Sequence, residues 1–194
     1  VVMGSGEPMD NYDNIVKFVK IISSDMGLNI SQRNITVSTC GIVPKIRELA
    51  DEGLSITLAL SLHAPNDEIR KTIMPVANKY ALKDVISACD YYFKKTGRRV
   101  SYEYSLVAGI NDNIKEAMNL VKLVNGRNIH INLIPVNPIK ERDFKQSDKL
   151  KIKEFKDFLE KKSVNATVRR EMGRDIDGAC GQLRRRFIQS ERNS

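Results

Sequence analysis

Cys180 lies between two small residues, Ala179 and Gly181, so its thiol is open to a reaction partner. Three arginines precede it in the same stretch of chain: Arg169, Arg170 and Arg174. Positive charge near a thiol lowers its pKa and favours the nucleophilic thiolate. Taken alone, such a residue is more commonly a cysteine packed as a small hydrophobe. The choice between these two interpretations depends on the motifs that precede this segment along the chain.

Four short motifs precede the Cys180 segment, and each contains residues that can contact a ligand. In chain order they are residues 4–8 (GSGEP), 38–41 (STCG), 61–67 (SLHAPND) and 133–138 (LIPVNP). The first lacks the third glycine of a dinucleotide-binding loop, because Met9 stands in its place, and no phosphate-binding lysine follows. The histidine of the third motif, His63, has no histidine cluster around it in the sequence, which argues against a metal site or a catalytic triad.

The four motifs and the segment 179–183 (ACGQL) resemble, in order and nearly end to end, the radical S-adenosylmethionine (SAM) enzymes that methylate C2 of an adenine in ribosomal and transfer RNA. In that family the cysteine of the last motif is methylated on sulfur and relays the methyl group to RNA, so the resemblance makes Cys180 the methyl carrier. It also implies two SAM molecules per turnover. One methylates the cysteine, and the other is cleaved reductively at a [4Fe–4S] cluster to generate the radical that activates the S-methyl group.

The resemblance further implies a SAM pocket. Glu7 would receive the methionyl ammonium, which suits a carboxylate beside glycines that permit close approach. The residues that the family would place at SAM are Gly6, Glu7, Ser38, Ser61, Leu62, His63 and Asn137. From the residues alone, the two serines could equally be ordinary strand-end hydroxyls, and the asparagine could cap a loop. Cys40 departs from the small residue, often serine, that this family carries in the turn, so no role is predicted for it.

The cysteine content predicts no metal site within this chain. The cluster of a radical SAM enzyme needs a C-x₃-C-x₂-C motif, whereas this chain has only Cys40, Cys89 and Cys180. In the family that motif comes just before the point where this sequence starts. We therefore expect the chain to be a C-terminal part of the enzyme, to be inactive by itself, and to take up negligible iron on anaerobic reconstitution.

The charge of the chain favours a polyanionic partner. Lysine and arginine together number 32 against 24 acidic residues, which gives a net charge of +8 and a pI near 9.4. Six arginines of the last third are candidates for RNA phosphate contacts: Arg169, Arg170, Arg174, Arg184, Arg185 and Arg186. A solvated helix face would also explain them. Trp is absent and aromatic residues form only 6 % of the chain, so no base-stacking platform is visible.

Short β-branched runs alternate with amphipathic stretches, which predicts α/β architecture with a parallel sheet. Strands are predicted at residues 1–3, 34–38, 56–62, 100–106 and 129–134, with a last extended segment at 166–170. Helices are predicted at 11–25, 44–52, 67–73, 82–95, 114–124, 147–162 and about 181–189. Gly97 is expected to stop the helix at 82–95, in which Cys89 is a packing residue, and Ser147 is expected to cap the helix at 147–162. The strand at 56–62 is nearly continuous in apolar residues. The resemblance to radical SAM enzymes implies a partial (β/α)₆ TIM-like barrel, truncated at its N-terminus, with about five barrel strands. We expect one domain over residues 1–194, with the partial barrel at 1–140 and the C-terminal helix, strand and reactive-cysteine segment at 141–194.

The motifs follow the predicted strands at their carboxyl ends, where ligands gather in parallel barrels. Glu7 follows the first strand, Ser38 the second, His63 the third and Asn137 the fifth. We expect these four residues to meet in space.

The resemblance also implies 23S ribosomal RNA and transfer RNA as substrates and an electron donor such as a flavodoxin or ferredoxin. An uneven set of three cysteines and the lack of an apolar run of roughly 20 residues favour a cytoplasmic enzyme without a membrane span.

Three other interpretations remain open from the sequence. A sister enzyme methylates C8 of the adenine by the same chemistry, and none of the residues named above separates C2 from C8. A non-catalytic basic RNA-binding module would leave the glycine-rich motif at residues 4–8 unexplained. A radical SAM enzyme acting on small molecules fits poorly with Cys180 and the arginines that follow it.

Overall fold

The computed structural model describes residues 1–4, 6–136 and 144–169. Five parallel strands form one sheet in the order β1-β2-β3-β4-β5, which is also their order along the chain. The strands are β1 (Thr36–Thr39), β2 (Thr57–Ser61), β3 (Val100–Leu106), β4 (Ile129–Pro135) and β5 (Ala166–Val168). The α-helices are α1 (Tyr12–Ser23), α2 (Val43–Asp51), α3 (Asp67–Ile73), α4 (Leu82–Thr96), α5 (Ile114–Val124) and α6 (Lys149–Lys161). Short 3₁₀ helices lie at Pro8–Asn11, Gln32–Asn34 and Pro75–Asn78.

One face of the sheet is apolar and packs under the helices. A register row on this face runs through Leu60, Tyr102 and Ile131, all of them fully buried. Side chains alternate between the two faces along each strand, so one helix layer buries every second residue. The helices contribute apolar residues such as Tyr92 of α4 and Phe155 of α6 to the same core. Among the described residues, no helix is long and apolar enough to cross a lipid bilayer.

The opposite face of the sheet is polar. Ser61, Glu103, Asn132 and Thr167 pair across β2, β3, β4 and β5 and therefore share this face. The carboxylate of Glu103 accepts hydrogen bonds from Asn132 Nδ2 at 2.9 Å and from the hydroxyl of Ser101 at 3.2 Å. A polar inner face of a parallel sheet is what a ligand-holding open barrel requires. It also explains why β2, predicted as a nearly continuous apolar strand, carries half-buried hydroxyls at Thr57 and Ser61.

The sheet differs from the sequence prediction at its two edges. Residues 1–3 make only an isolated parallel bridge, between Val2 and Val37, instead of a full first strand. The amide of Val2 donates to Thr36 O at 2.7 Å and its carbonyl accepts from Ser38, so this segment still extends the β1 edge. At the other edge, the predicted extended segment after α6 joins the sheet as β5 and pairs with β4.

The predicted helices are present, with small shifts of their ends, and side-chain caps explain several of the ends. Asn66 caps α3 and Asn113 caps α5, each through its side-chain oxygen. Gly97 ends α4 in the left-handed conformation with φ +65°, as the sequence predicted. The prediction that Ser147 caps the last charged helix is wrong, because Asp148 accepts from Leu150 N at 2.7 Å and α6 begins at Lys149. The predicted helix at 181–189 lies outside the described residues.

Gly41, in the turn after β1, allows a close approach that no other residue would permit. It adopts φ +104°, and an added Cβ would lie 3.0 Å from Val85 Cγ1 and 3.1 Å from Arg70 Nη2. Gly53 is a matched comparison because it also has a positive φ, +69°, but an added Cβ there would meet nothing within 4 Å. The turn after β1 can therefore lie directly on α3 and α4 only because residue 41 is glycine.

We predict that Gly41→Ala lowers the free energy of unfolding by about 2–4 kcal/mol, and Gly53→Ala by about 1 kcal/mol. Both substitutions introduce the cost of a positive φ, and Gly41→Ala adds the crowding against Val85 and Arg70. Urea denaturation of the two variants and the wild type measures the difference. Equal losses in the two variants would contradict close packing at Gly41 as the cause.

Candidate active site

An open pocket of about 500 Å³ lies at the carboxyl edge of the sheet. Its polar wall is formed by side chains that follow three neighbouring strands, Cys40 after β1, Ser61 and His63 after β2, and Ser105 near the end of β3. Its apolar wall consists of Ile73, Met74, Pro75, Val76, Val107, Val136 and Phe144. The lining thus combines apolar side chains with a few hydrogen-bonding groups, which is the usual composition of a small-molecule site.

Glu7 is held at this edge by two backbone amides. One carboxylate oxygen accepts from Cys40 N at 2.6 Å, and the other accepts from Met9 N at 3.1 Å as the cap of the short helix Pro8–Asn11. The first of these bonds ties the turn at residues 4–8 to the turn after β1. Glu7 does not itself line the pocket, but it is half-buried next to the lining residue Cys40, so its charge is available to a cationic group of a ligand that extends to this edge.

His63 is fixed in an uncharged state with a defined tautomer. Its Nδ1 accepts a hydrogen bond from Ser105 N at 3.0 Å, so the ring proton resides on Nε2. Burial and then the charge of Arg70 lower the pKa of His63 from 6.5 to about 4. Its backbone adopts φ +56°, a left-handed conformation that is uncommon for a residue with a side chain. The ring is therefore a hydrogen-bond donor to the pocket and a poor general base at neutral pH.

The two cysteines within the described chain are both protonated thiols. Burial, followed by the hydrogen bond and the negative charge of Glu7, raises the pKa of Cys40 to about 12. Burial raises the pKa of Cys89 to about 12 as well, and its side chain is packed in α4 as the sequence predicted. Cys40, for which the sequence predicted no role, therefore contacts Glu7 through both its amide and its thiol.

Of the remaining candidate residues of the described chain, one lines the pocket and three do not. Ser61 lines the pocket, whereas Leu62 is fully buried in the core. The hydroxyl of Ser38 donates to Val2 O at 3.2 Å on the polar face, one strand away from Ser61. Gly6 is exposed in the turn before Glu7 and has φ +94°.

Several predicted functional residues lie outside the described ranges: Cys180, Asn137, Arg170, Arg174, Arg184, Arg185 and Arg186. The structure brings Glu7, Ser61 and His63 to one edge with Ser38 nearby. The expected convergence of Asn137 on that edge stays a prediction. Arg169, the last described residue, is exposed, and its amide donates to Leu133 O at 2.8 Å beside β4.

Sequence reasoning missed two buried residues behind the pocket, Arg70 of α3 and Asn111 of the loop after β3. Arg70 donates to the carbonyl oxygens of Cys40 and Leu62, and Asn111 donates to those of His63 and Ser105. The sequence contained a signal for Asn111, because Asn-Asp pairs follow both β2 and β3, at residues 66–67 and 111–112. It contained none for Arg70, since an arginine in a short polar helix is usually exposed.

The described residues contain no group of three or more His, Cys, Asp or Glu side chains that could hold a metal ion. The pocket, as far as the described residues line it, also has no thiolate, because the pKa of Cys40 is raised. Within the described ranges, the chain therefore offers a pocket for an organic ligand with a cationic group, and no ligand set for an iron–sulfur cluster.

Comparison with known proteins identifies the class. The model of the radical SAM superfamily matches residues 1–121, and the chain belongs to this family. The chain is 65 % identical over 189 residues to the probable dual-specificity RNA methyltransferase RlmN of Lachnospira eligens, a match that covers 97 % of the chain and 54 % of the relative. It is 68 % identical over 187 residues to the protein of the same name from Lachnoclostridium phytofermentans, with 96 % of the chain and 52 % of the relative covered.

Solved structures agree with this class. A crystal structure of a radical SAM methyltransferase from Sphaerobacter thermophilus superposes with a TM-score of 0.89 at 43 % identity, covering 93 % of the chain and 53 % of that protein. Streptococcus suis SuiB, solved with S-adenosylmethionine bound, shares the fold with a TM-score of 0.61 at 17 % identity, covering 86 % of the chain and 36 % of that protein. The resemblance to radical SAM enzymes and the α/β partial-barrel class drawn from the sequence are thereby confirmed. The chain spans about half the length of the curated relatives it matches.

Membership of the family implies SAM and a [4Fe–4S] cluster as cofactors. The carboxyl edge of the sheet fits SAM, because the Glu7 carboxylate beside the pocket suits its ammonium, and the neutral His63 imidazole in the pocket is a donor that suits its oxygen or ring-nitrogen acceptors. The cluster is not fitted by any described set of residues.

The depressed pKa of His63 predicts how stability depends on pH. The unfolded histidine, with a pKa near 6.5, binds a proton between pH 6.5 and about 4 that the folded one does not, so the native state loses stability as pH falls through this range. The difference in unfolding free energy between wild type and His63→Gln should shrink by up to about 1.4 kcal/mol per pH unit between pH 6 and 4.5. Denaturant titrations at several pH values measure it. A constant difference would show that His63 titrates normally in the folded protein.

Proposed function

We propose that this chain is part of an RNA methyltransferase that uses radical SAM chemistry to methylate C2 of an adenine in 23S ribosomal RNA and transfer RNA. The main support is the high identity to proteins named RNA methyltransferase over 97 % of the chain. The five ordered sequence motifs and the pocket at the carboxyl edge agree with it. A cytoplasmic enzyme, reduced by a flavodoxin- or ferredoxin-type donor, fits this chemistry.

In this proposal the pocket at the carboxyl edge binds SAM. Glu7 holds the methionyl ammonium, with its carboxylate oriented by the amides of Cys40 and Met9. His63 donates from Nε2 to an acceptor of the ligand, and the hydroxyls of Ser61 and Ser38 are in reach of carboxylate or ribose oxygens. SAM supplies the methyl group and, through reductive cleavage, the radical that starts the reaction.

The remaining functions fall to residues outside the described ranges. Cys180 carries the methyl group to RNA, and Asn137 contacts the adenosine of SAM. The arginines around the reactive cysteine contact RNA phosphates and set its position rather than read its sequence. The net charge of +8 supports a polyanionic substrate for the whole chain.

The decisive experiment is mass spectrometry of RNA from cells with and without the full-length gene. Loss of 2-methyladenine from ribosomal and transfer RNA on deletion, restored by the gene, is the expected result. Loss of 8-methyladenine instead would assign the enzyme to the sister activity. Unchanged methylation at both positions would contradict the proposal.

We predict that Glu7→Gln in the full-length enzyme raises the dissociation constant for SAM by about tenfold or more, because the amide removes the charge that pairs with the ligand ammonium. The amide is close in shape to the carboxylate, so the folded structure should persist. Asp10→Asn is the matched control, since Asp10 lies exposed in the same short helix. Isothermal titration of SAM into the three proteins measures the effect, and equal affinities would remove Glu7 from the binding site.

We predict that Cys180→Ala in the full-length enzyme abolishes methyl transfer to RNA while SAM binding is retained. Cys40 also lines the pocket, but its raised pKa keeps its thiol protonated, so it is not expected to replace Cys180 as the methyl acceptor. Cys89→Ala, which alters a buried packing thiol, should cost about 1–2 kcal/mol of stability and leave transfer intact. A tryptic peptide containing Cys180 from active enzyme should carry one added methyl group. RNA methylation by the Cys180→Ala protein would end the methyl-carrier mechanism.

A further inference from the structure

The side chain of Arg70 is fully buried although its guanidinium is always charged. It takes part in none of the ion pairs formed within the described part of the chain. Taking an unpaired charge out of water is costly, and its Nη1 is buried without a hydrogen-bond partner among the described groups. An apolar side chain of similar length would avoid this cost. We therefore attribute the presence of an arginine here to the hydrogen bonds that its guanidinium donates.

The two other nitrogens of Arg70 join the two turns that carry the pocket. Its Nη2 donates to Cys40 O at 2.7 Å, in the turn after β1, and its Nε donates to Leu62 O at 3.3 Å, in the turn after β2. The first turn orients Glu7 through the amide of Cys40. The second turn leads directly into His63. One guanidinium therefore connects the turn whose amide holds the Glu7 carboxylate with the turn that carries His63.

Asn111 holds the turn after β2 from the opposite side. Its Nδ2 donates to His63 O and to Ser105 O, each at 2.7 Å, and its Oδ1 accepts from Val107 N at 2.7 Å. The side chain is fully buried, and Tyr104 donates to its backbone carbonyl at 3.0 Å. These three hydrogen bonds of the side-chain amide fix the turns after β2 and β3 relative to each other.

The turn between these two side chains is strained. His63 has φ +56°, which costs a residue with a Cβ about 1 kcal/mol or more unless its surroundings enforce it. Arg70 and Asn111 bind the two consecutive carbonyls of this turn, at Leu62 and His63. The same conformation places His63 Nδ1 on the amide of Ser105 and so directs Nε2 away from the backbone.

We propose that Arg70 and Asn111 are positioning residues of the pocket. Together they lock the turn at residues 62–63 between the turns after β1 and β3, and this lock sets the orientation of His63 relative to Glu7. The identity of the ligand as SAM rests on the proposed function, whereas the lock itself does not. Removal of either side chain should loosen the turn, speed exchange of the Ser105 amide, and weaken ligand binding.

The test uses Arg70→Met and Asn111→Ala in the full-length enzyme. The control is Arg127→Met, because Arg127 also binds through its guanidinium, in a two-bond pair with Asp90, but lies away from the pocket. Hydrogen exchange of the ligand-free proteins should be about tenfold faster at Ser105 in both test variants, with α4 unchanged. The dissociation constant for SAM should rise about tenfold, the equivalent of one lost bond to a buried carbonyl. The control should stay within about twofold of wild type in both measurements.

The double variant distinguishes a shared lock from two independent stabilising contacts. Because both residues hold one turn, the rise in the dissociation constant for the double variant should fall well short of the product of the single effects. Multiplicative effects would overturn the shared lock. Unchanged hydrogen exchange at Ser105 in both single variants would overturn the shared lock as well. The exchange measurement does not depend on SAM binding. If the wild-type enzyme bound no SAM, that result would refute the proposed function and leave the test of the lock intact.

Arg70→Lys keeps the test decisive if the Met variant does not fold. An ammonium preserves the charge but lacks the planar fork that reaches two separate carbonyls. We expect exchange at Ser105 and SAM affinity intermediate between wild type and the loosened variants. A Lys variant equal to wild type in both measurements would show that only the charge matters, and it would overturn the two-carbonyl lock.

Discussion

The sheet has two faces of opposite character, and the rest of the structure depends on this division. Alternate side chains along a strand point to opposite faces, so the apolar residues of one register row are buried under helices while the neighbouring row is left polar. Leu60 and Tyr102 lie on the buried side, and Ser61 and Glu103 lie on the other. A parallel sheet that needed both faces covered by helices would have no such polar row. The pocket lies at the carboxyl edge of this polar face, with Ser61 and Ser105 among its lining residues.

Polar groups at the end of a parallel strand must find partners outside the ladder, and the site is built from these partners. Both Leu62 and His63 direct their amides to Glu103 O, at 3.0 and 3.2 Å, so β2 ends in a sharp turn against β3. Carbonyls that leave the ladder are taken up by buried side chains of the following segments. The same hydrogen bonds therefore satisfy the backbone carbonyls and orient the ligand-facing groups. A substitution that removes such a bond also disturbs the orientation of these groups.

Most of the fold could be predicted from the sequence because its elements follow local rules, whereas the site was predicted only in part. Gly97 marked the end of α4, but a three-residue run such as 1–3 shows the same β-branched pattern whether it makes a ladder or a single bridge. Glu7 and His63 sit in recognisable motifs that follow the extended segment at residues 1–3 and β2, so their common edge follows from topology. Arg70 and Asn111 act on backbone carbonyls that are distant in sequence, and such contacts have no local signature.

The environments of Cys40 and Cys89 keep both thiols out of the nucleophilic thiolate form, which agrees with the proposal that Cys180 is the methyl acceptor. Sulfur attacks as the thiolate, and burial beside the Glu7 carboxylate raises the pKa of Cys40 to about 12, which leaves it uncharged at neutral pH. Cys89 is uncharged for a related reason, burial in the core. A protonated thiol at position 40 donates to Glu7 much as a serine hydroxyl would, so the departure from the family pattern preserves the carboxylate's environment. The arginines near Cys180 in the sequence have the opposite electrostatic effect on a thiol, and they would reserve the nucleophilic role for that residue.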